Sequence, residues 1–260
     1  MCKLLLTPPS TLYILVLEME EITDRQKELL KIIIDEYIDT ANPVGSEALV
    51  SKYKLKYSPA TIRNEMASLI RKGFLGMTHS SSGRKPTSLG LRFYINELME
   101  EREVPVLQEV SMKQRVWQDR YEYERTLRNI VLALSEATKY LALVSLDDGY
   151  LVHAGSVNIL EYPEFFDIEV SKSALQLLDN ADLLERLYAK GFGGADVKIL
   201  IGEELDYDNL DCCGLVYTPF NSKKRGGFLG VFGPDRMPYS KVIPTIRYMK
   251  GLINELLGGF

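Results

Sequence analysis

Apolar residues first fall into a helical rhythm after Thr23, where positions 29, 33, 37 and 30, 34, 38 form a stripe of period near 3.6. Thr23 and Gln26, three residues apart, make a capping box at its start. Asn42-Pro43 stops it, because the residue before a proline avoids the helical region. A second, short helix is expected from Ser46, placed to cap it, through Tyr53, with a turn over 54–57. Ser58-Pro59 then opens a third helix: serine accepts from an orphan amide at the N-cap, and proline fits at N1, where its missing N–H costs nothing. That helix is expected to run to Lys72, with Gly73 as its C-terminal cap. Ile62, Met66, Leu69 and Ile70 make its core face; Thr61, Asn64, Ser68 and Arg71 lie opposite, with Arg63 at the flank. Phe74–Met77 reads as a strand, Ser80–Gly83 as a hairpin tip, and Arg84-Lys85-Pro86 as a return strand whose proline suits a sheet edge. Thr87 caps a further helix reaching about Glu101.

The rhythm then loosens. Residues 100–124 are strongly charged, broken at Val104-Pro105, and read as a linker that becomes helical; 126–139 continue as an amphipathic helix. Beyond it, β and α patterns mix. Strands are expected at 140–146 and 151–157, joined by the tight-turn signal Asp147-Asp148-Gly149, and again at 197–201, 213–218 and 228–232. One helix is expected over 173–190, and a final one, apolar at 242, 246, 249, 253 and 256, over 240–257.

Charge changes the picture. From Ser46 to Arg92 there are nine Lys/Arg against two acids, +7 in a chain of net charge −5, so the remainder sums to −12. Two helices joined by a turn and followed by a basic, Gly-containing hairpin are the layout of a winged helix-turn-helix, and its basic charge lies where a phosphate backbone needs it. On the third helix arginine can bond guanine bidentately, asparagine adenine, and a threonine methyl can touch thymine. The candidate DNA-contacting residues are Ser46, Ser58, Thr61, Arg63, Asn64, Ser68 and Arg71 on the helices, and His79, Ser82, Arg84, Lys85 and Thr87 on and beside the hairpin. His79 could equally cap or bond locally. Residues 223–225 read as a solvated basic loop, and His153 as structural.

Catalysis finds little footing: there is no phosphate-binding Gly-rich loop with lysine, no nucleophile elbow and no His/Cys pairing. No cofactor or metal is expected. The three cysteines, Cys2, Cys212 and Cys213, form neither a disulfide framework nor a spaced ligand set and suit a reducing cytoplasm. Apolar stretches in the first eighteen residues are interrupted by Thr7-Pro8-Pro9-Ser10, too short for the ~20 residues that span a bilayer. Residues 1–18 are expected to be a disordered tail or a mis-assigned start, with Met19 as the true one; no membrane association is expected.

In TDRQKELLKIIIDEYIDTANPVGSEAL, YSPATIRNEMASLIRKGFL and HSSSGRKPTSLGLRFYINEL, and later in GSVNILEYPEF and FLGVFGPDRMPYSKVIPTIRYMKGLINELL, the chain resembles the heat-inducible transcription repressor family, HrcA. The resemblance implies a homodimeric repressor of chaperone operons that binds double-stranded DNA at an inverted-repeat operator. It also implies a GAF-like middle region carrying an inserted dimerising domain, and modulation by the chaperonin. Between LALVSL and GSVNIL, where the family has a long segment including that insert, this chain has only Asp147–Ala154.

The fold expected is α+β and multidomain: a winged helix-turn-helix over 19–103, a charged helical linker over 104–125, and a trimmed GAF-like α/β regulatory and dimerisation domain over 126–260. The function expected is a sequence-specific, dimeric heat-shock repressor in the cytoplasm. A winged-helix regulator gated by a small ligand in the GAF-like domain is the alternative.

Overall fold

The computed structural model describes residues 22–77, 83–191, 196–221 and 225–257. Helix α1 (Asp24–Thr40) carries the expected capping box, with the Gln26 amide donating to Thr23 Oγ1 at 3.3 Å and the Thr23 amide to Gln26 Oε1 at the same distance. Helix α2 (Ser46–Tyr53) starts one residue earlier than its serine would dictate: Gly45 is the N-cap, and Ser46 is buried in the first turn without capping. Helix α3 (Pro59–Arg71) begins as its sequence demands, Ser58 Oγ accepting from the Thr61 amide at 3.2 Å. Gly73, at φ +81°, follows its last turn in the left-handed region that favours glycine.

Strands β1 (Leu75–Met77) and β2 (Arg84–Pro86) form an antiparallel ribbon in which Gly76 faces Lys85. Val44 adds a third rung, exchanging backbone hydrogen bonds of 2.9 and 3.0 Å with Arg84. Thr87 caps α4 (Ser88–Phe93), which passes into a π-helical turn, Tyr94–Leu98, and ends there rather than at Glu101.

The charged stretch folds as α5 (Val106–Gln118), which buries Met112 and Val116 and packs against α6 (Tyr123–Thr138). Five antiparallel strands follow, β3 (Leu141–Leu146), β4 (Leu151–Ala154), β5 (Lys198–Ile201), β6 (Cys213–Asn221) and β7 (Gly226–Pro234), in the order β4-β3-β7-β6-β5. The β3–β4 hairpin turns on Gly149, at φ +82°, as its Asp-Gly pair predicts. Strand β4 stops at Ala154, before the expected Val157, because Gly155 turns left-handed at φ +78°. The expected single helix over 173–190 is two, α7 (Ile168–Gln176) and α8 (Ala181–Lys190), because a 3₁₀ turn at Leu177–Asp179 intervenes and Asn180 caps the second. Strands β6 and β7 run past their expected ends toward each other, into the connection between them. Cys213 is buried at the start of β6, and His153 is exposed on β4.

The last helix, α9 (Tyr239–Leu257), contains Pro244. A proline has no amide for the carbonyl four residues back. That carbonyl, Ser240 O, accepts instead from the Arg102 amide at 2.8 Å, which fixes the segment between α4 and α5.

Alternate sheet residues face two layers. Ala142, Val144, Val216 and Val231 join α5, α6 and α9 in a core that continues without a break into α1–α4. Leu141, Leu143, Leu215 and Phe232 pack under α7 and α8 on the other face. The N-terminal helices are also tied to the sheet by ion pairs. Arg92 on α4 binds Glu204 and donates to Ile199 O at 2.9 Å. Arg236 grips Glu164 at 2.6 and 3.1 Å while donating to Ile38 O on α1 at 3.0 Å.

Candidate nucleic-acid interface

The outward face of α3 is built from its cap. Ser58 is exposed, and its hydroxyl also meets Thr61 Oγ1 at 3.0 Å, which orients the half-buried Thr61. One turn on, Arg63 and Asn64 stand in solvent; Arg63 makes only a loose pair with the equally exposed Glu47, at 3.7 Å. Arg71 is exposed at the far end. Between α1 and the α2–α3 turn lies a cleft of about 330 Å³, lined by Arg25, Lys54, Lys56 and Tyr57 among others. Lys54, Lys56 and Tyr57 were absent from the candidates; their basic-aromatic clustering in the turn was the signal available.

Ser68 turns inward, accepting from Gln26 Nε2 on α1 at 3.2 Å. The same buried amide group donates to Glu65 Oε2 at 2.9 Å and accepts from Lys72 Nζ at 3.3 Å, while Arg25 pairs with Glu65 from the other side. Gln26 therefore fixes α3 against α1, a role hidden in the sequence behind its part in the capping box.

On the ribbon, Arg84 donates from Nη1 to Gly83 O at 3.1 Å. Among the described residues its Nε is buried without a hydrogen-bond partner. Lys85 points back into the molecule, 3.3 Å from the Asp235 carboxylate and 5.4 Å above the Tyr37 ring. The Thr87 hydroxyl is used twice within the fold, donating to Gly73 O at 2.6 Å and accepting from the Gly90 amide at 3.1 Å. His79 and Ser82 lie outside the described residues, as do Lys223 and Lys224.

The basic surplus of this stretch is thus partly absorbed internally. Lys52 pairs with Glu36 at 2.6 Å, Arg92 with Glu204 and Lys85 with Asp235. The exposed cations are Lys52, held by Glu36, and Lys54, Lys56, Arg63 and Arg71 around α3 and the turn before it.

Residues 87–243 match the family model described as HrcA protein C terminal domain. The chain belongs to the HrcA family. The HrcA protein of Acetivibrio thermocellus is 27% identical over 334 residues, covering 89% of this chain and 95% of that protein. That of Carboxydothermus hydrogenoformans is 25% identical over 339 residues, covering 91% and 98%. Both carry the name heat-inducible transcription repressor HrcA. Coverage of 89% exceeds what residues 87–260 alone supply, so the likeness takes in the N-terminal helices. The 334-residue alignment uses 89% of 260 residues, so the relative carries about 100 residues without counterpart here. The fold is shared with a crystal structure of a hypothetical protein solved at 2.2 Å, with a TM-score of 0.76 and 17% identity, covering 92% of this chain and 99% of that one. No helix among the described residues is long and apolar enough to cross a membrane, and no group of His, Cys, Asp and Glu among them could hold a metal ion.

Proposed function

We propose that this HrcA-family chain is a sequence-specific transcription repressor of heat-shock chaperone operons, acting as a dimer on an inverted-repeat operator in the cytoplasm. Helices α1–α4 with the β1–β2 ribbon make up its winged helix, and the five-stranded sheet with its flanking helices makes up a trimmed GAF-like unit. The observation that carries this reading is the exposed Arg63-Asn64 pair on a helix flanked by the exposed cations Lys54, Lys56 and Arg71. The names of the relatives, heat-inducible transcription repressors, support it and favour a regulatory role over a catalytic one.

In this reading α3 enters a major groove, where Arg63, Asn64 and Thr61 read base edges. Ser58, Arg71, Lys54 and Lys56 hold the flanking phosphates. The ribbon lies alongside as the wing, bringing Arg84; His79 and Ser82, which lie between its strands in the sequence, are further candidate contacts. Ser46, Ser68 and Thr87 support the interface from inside through burial and hydrogen bonds. Two-fold symmetry sets half-sites a whole number of turns apart, multiples of ~10 bp. Chaperonin modulation and release on heating follow if the DNA-competent form is marginal, since whatever depletes it lowers occupancy by mass action. No observation in the fold favours the ligand-gated alternative.

The test is a mobility shift of the full chain on an inverted-repeat duplex beside a scrambled duplex of equal length, with the complex sized. A two-to-one complex preferring the inverted repeat is expected. Equal binding to both duplexes would remove sequence-specific repression, and a one-to-one complex would remove the dimer.

A further inference from the structure

One cation of the ribbon is out of place for a DNA contact. Lys85 reaches across a cleft of about 460 Å³ between the ribbon and the C-terminal unit, whose far wall carries Glu203, Asp211 and Asp235. Its ammonium ends 3.3 Å from Asp235, which sits just past β7 with its side chain only 6% exposed. Asp235 also accepts from the Tyr37 hydroxyl of α1 at 3.4 Å. Glu203 and Asp211 stay exposed beside it.

Taking α3 and the ribbon as the DNA reader, we propose that the Lys85–Asp235 pair is an autoinhibitory contact, by which the C-terminal unit withholds a ribbon cation from the phosphate backbone.

Three features carry this. Lysine is a point charge on a flexible four-carbon stem, so its ammonium can leave Asp235 by bond rotation while the ribbon stays in place. The ribbon's backbone bonds to Val44 are made by Arg84 and do not involve the Lys85 side chain. The cleft wall presents the carboxylates of Glu203, Asp211 and Asp235 to the ribbon, so while Lys85 is held its charge is spent on them and not on phosphate. A purely structural prop at this place has no need of charge, since buried ion pairs are commonly no more stabilising than apolar groups of the same volume. DNA and Asp235 compete for one ammonium. What loosens the C-terminal unit's hold on Lys85 therefore strengthens DNA binding, and DNA in turn loosens that hold.

The experiment measures affinity of the full chain for the inverted-repeat and scrambled duplexes by fluorescence anisotropy across a salt series. Asp235→Asn and Asp235→Leu, one polar and one apolar, both remove the carboxylate. Each is expected to gain on the order of fivefold to tenfold in affinity at ~0.1 M salt on both duplexes, with a log–log salt slope steeper by ~1, the signature of one added phosphate contact. The double variant Lys85→Met/Asp235→Asn loses that gain. Unchanged or weaker binding with an unchanged slope in whichever Asp235 variant folds, judged by near-ultraviolet circular dichroism, overturns the proposal. So does a gain that survives in the double variant. Wild-type protein that binds no duplex defeats the DNA-reading function itself, whereas wild-type binding with unaltered Asp235 variants defeats only this contact.

Discussion

The side-chain amide of Gln26 on α1 donates to the Glu65 carboxylate on α3 at 2.9 Å, from a position almost wholly removed from solvent. Glu65 is the only carboxylate on α3, and Gln26 with Arg25 occupies its oxygens. Gln26→Ala is expected to lower stability by roughly 1–3 kcal/mol, since it leaves buried polar groups unpaired. Denaturant unfolding measures this; a change within ±0.5 kcal/mol would show that water replaces the amide without loss.

Asn64→Ala removes a solvent-facing side chain and Arg63→Ala one whose pair with the exposed Glu47 is loose, so the fold should be indifferent to them. Each is expected to cost on the order of 1–3 kcal/mol of operator binding and to relax base preference at one position. Arg84→Ala is expected to weaken all duplexes alike and flatten the salt slope by ~1. Operator affinity untouched by both α3 variants would move the reader to another surface.

Asp235 gives the pH dependence its sign. Burial pushes its carboxyl up to about 6, against the pull of Lys85; Glu164 pushes the same way as burial, Arg236 opposes it, and Tyr37 supplies a hydroxyl. The folded-state value lies above the ordinary 3.8, so the folded chain holds this proton more tightly than the unfolded one. The resulting stability is full below about pH 4 and is lost as pH rises through about 6, on the order of 3 kcal/mol in all. Stability of wild type minus that of Asp235→Asn should fall by that amount between those pH values. A flat difference would show the carboxyl titrating in its ordinary range.

Local chemistry made α1 and α3 legible before any coordinates: Thr23 with Gln26, and Ser58 with Pro59, are starts that need no distant partner. Ser46 misled because Val44 is already bonded to Arg84, which brings the chain into α2 one residue sooner. The pattern over 173–190 read as one helix because Leu177, Leu183, Leu184 and Leu187 are all core residues; the sidestep through Leu177–Asp179 keeps them under the same sheet face. That Lys85 is ion-paired within the fold was hidden because its partner stands 150 positions later, and nothing near residue 85 announces a buried aspartate. The exposure of Arg63 and Asn64 on α3 was therefore readable, while the ties of Ser68 and Lys85 to distant partners were not.

Arg92 and Glu204 join α4 to the turn after β5, with both side chains about nine-tenths covered. Removing one member leaves the other as an uncompensated buried charge. Arg92→Ala is expected to destabilise by about 3–5 kcal/mol, and Arg92→Met with Glu204→Leu by far less. Thermal unfolding of the three proteins decides it: a double variant as unstable as the single would assign the loss to packing.

Pro244 gives the connection between α4 and α5 an unusual kind of rigidity. Because it offers no amide, the Ser240 carbonyl is left for the chain arriving from α4, and Arg102 takes it. Pro244→Ala would let α9 close its own ladder and compete for that acceptor. The variant is then expected to have a more regular helix but a looser connection, visible as faster amide exchange at Arg102. An imperfection in one helix thereby supplies the anchor for a segment outside it, the connection between α4 and α5.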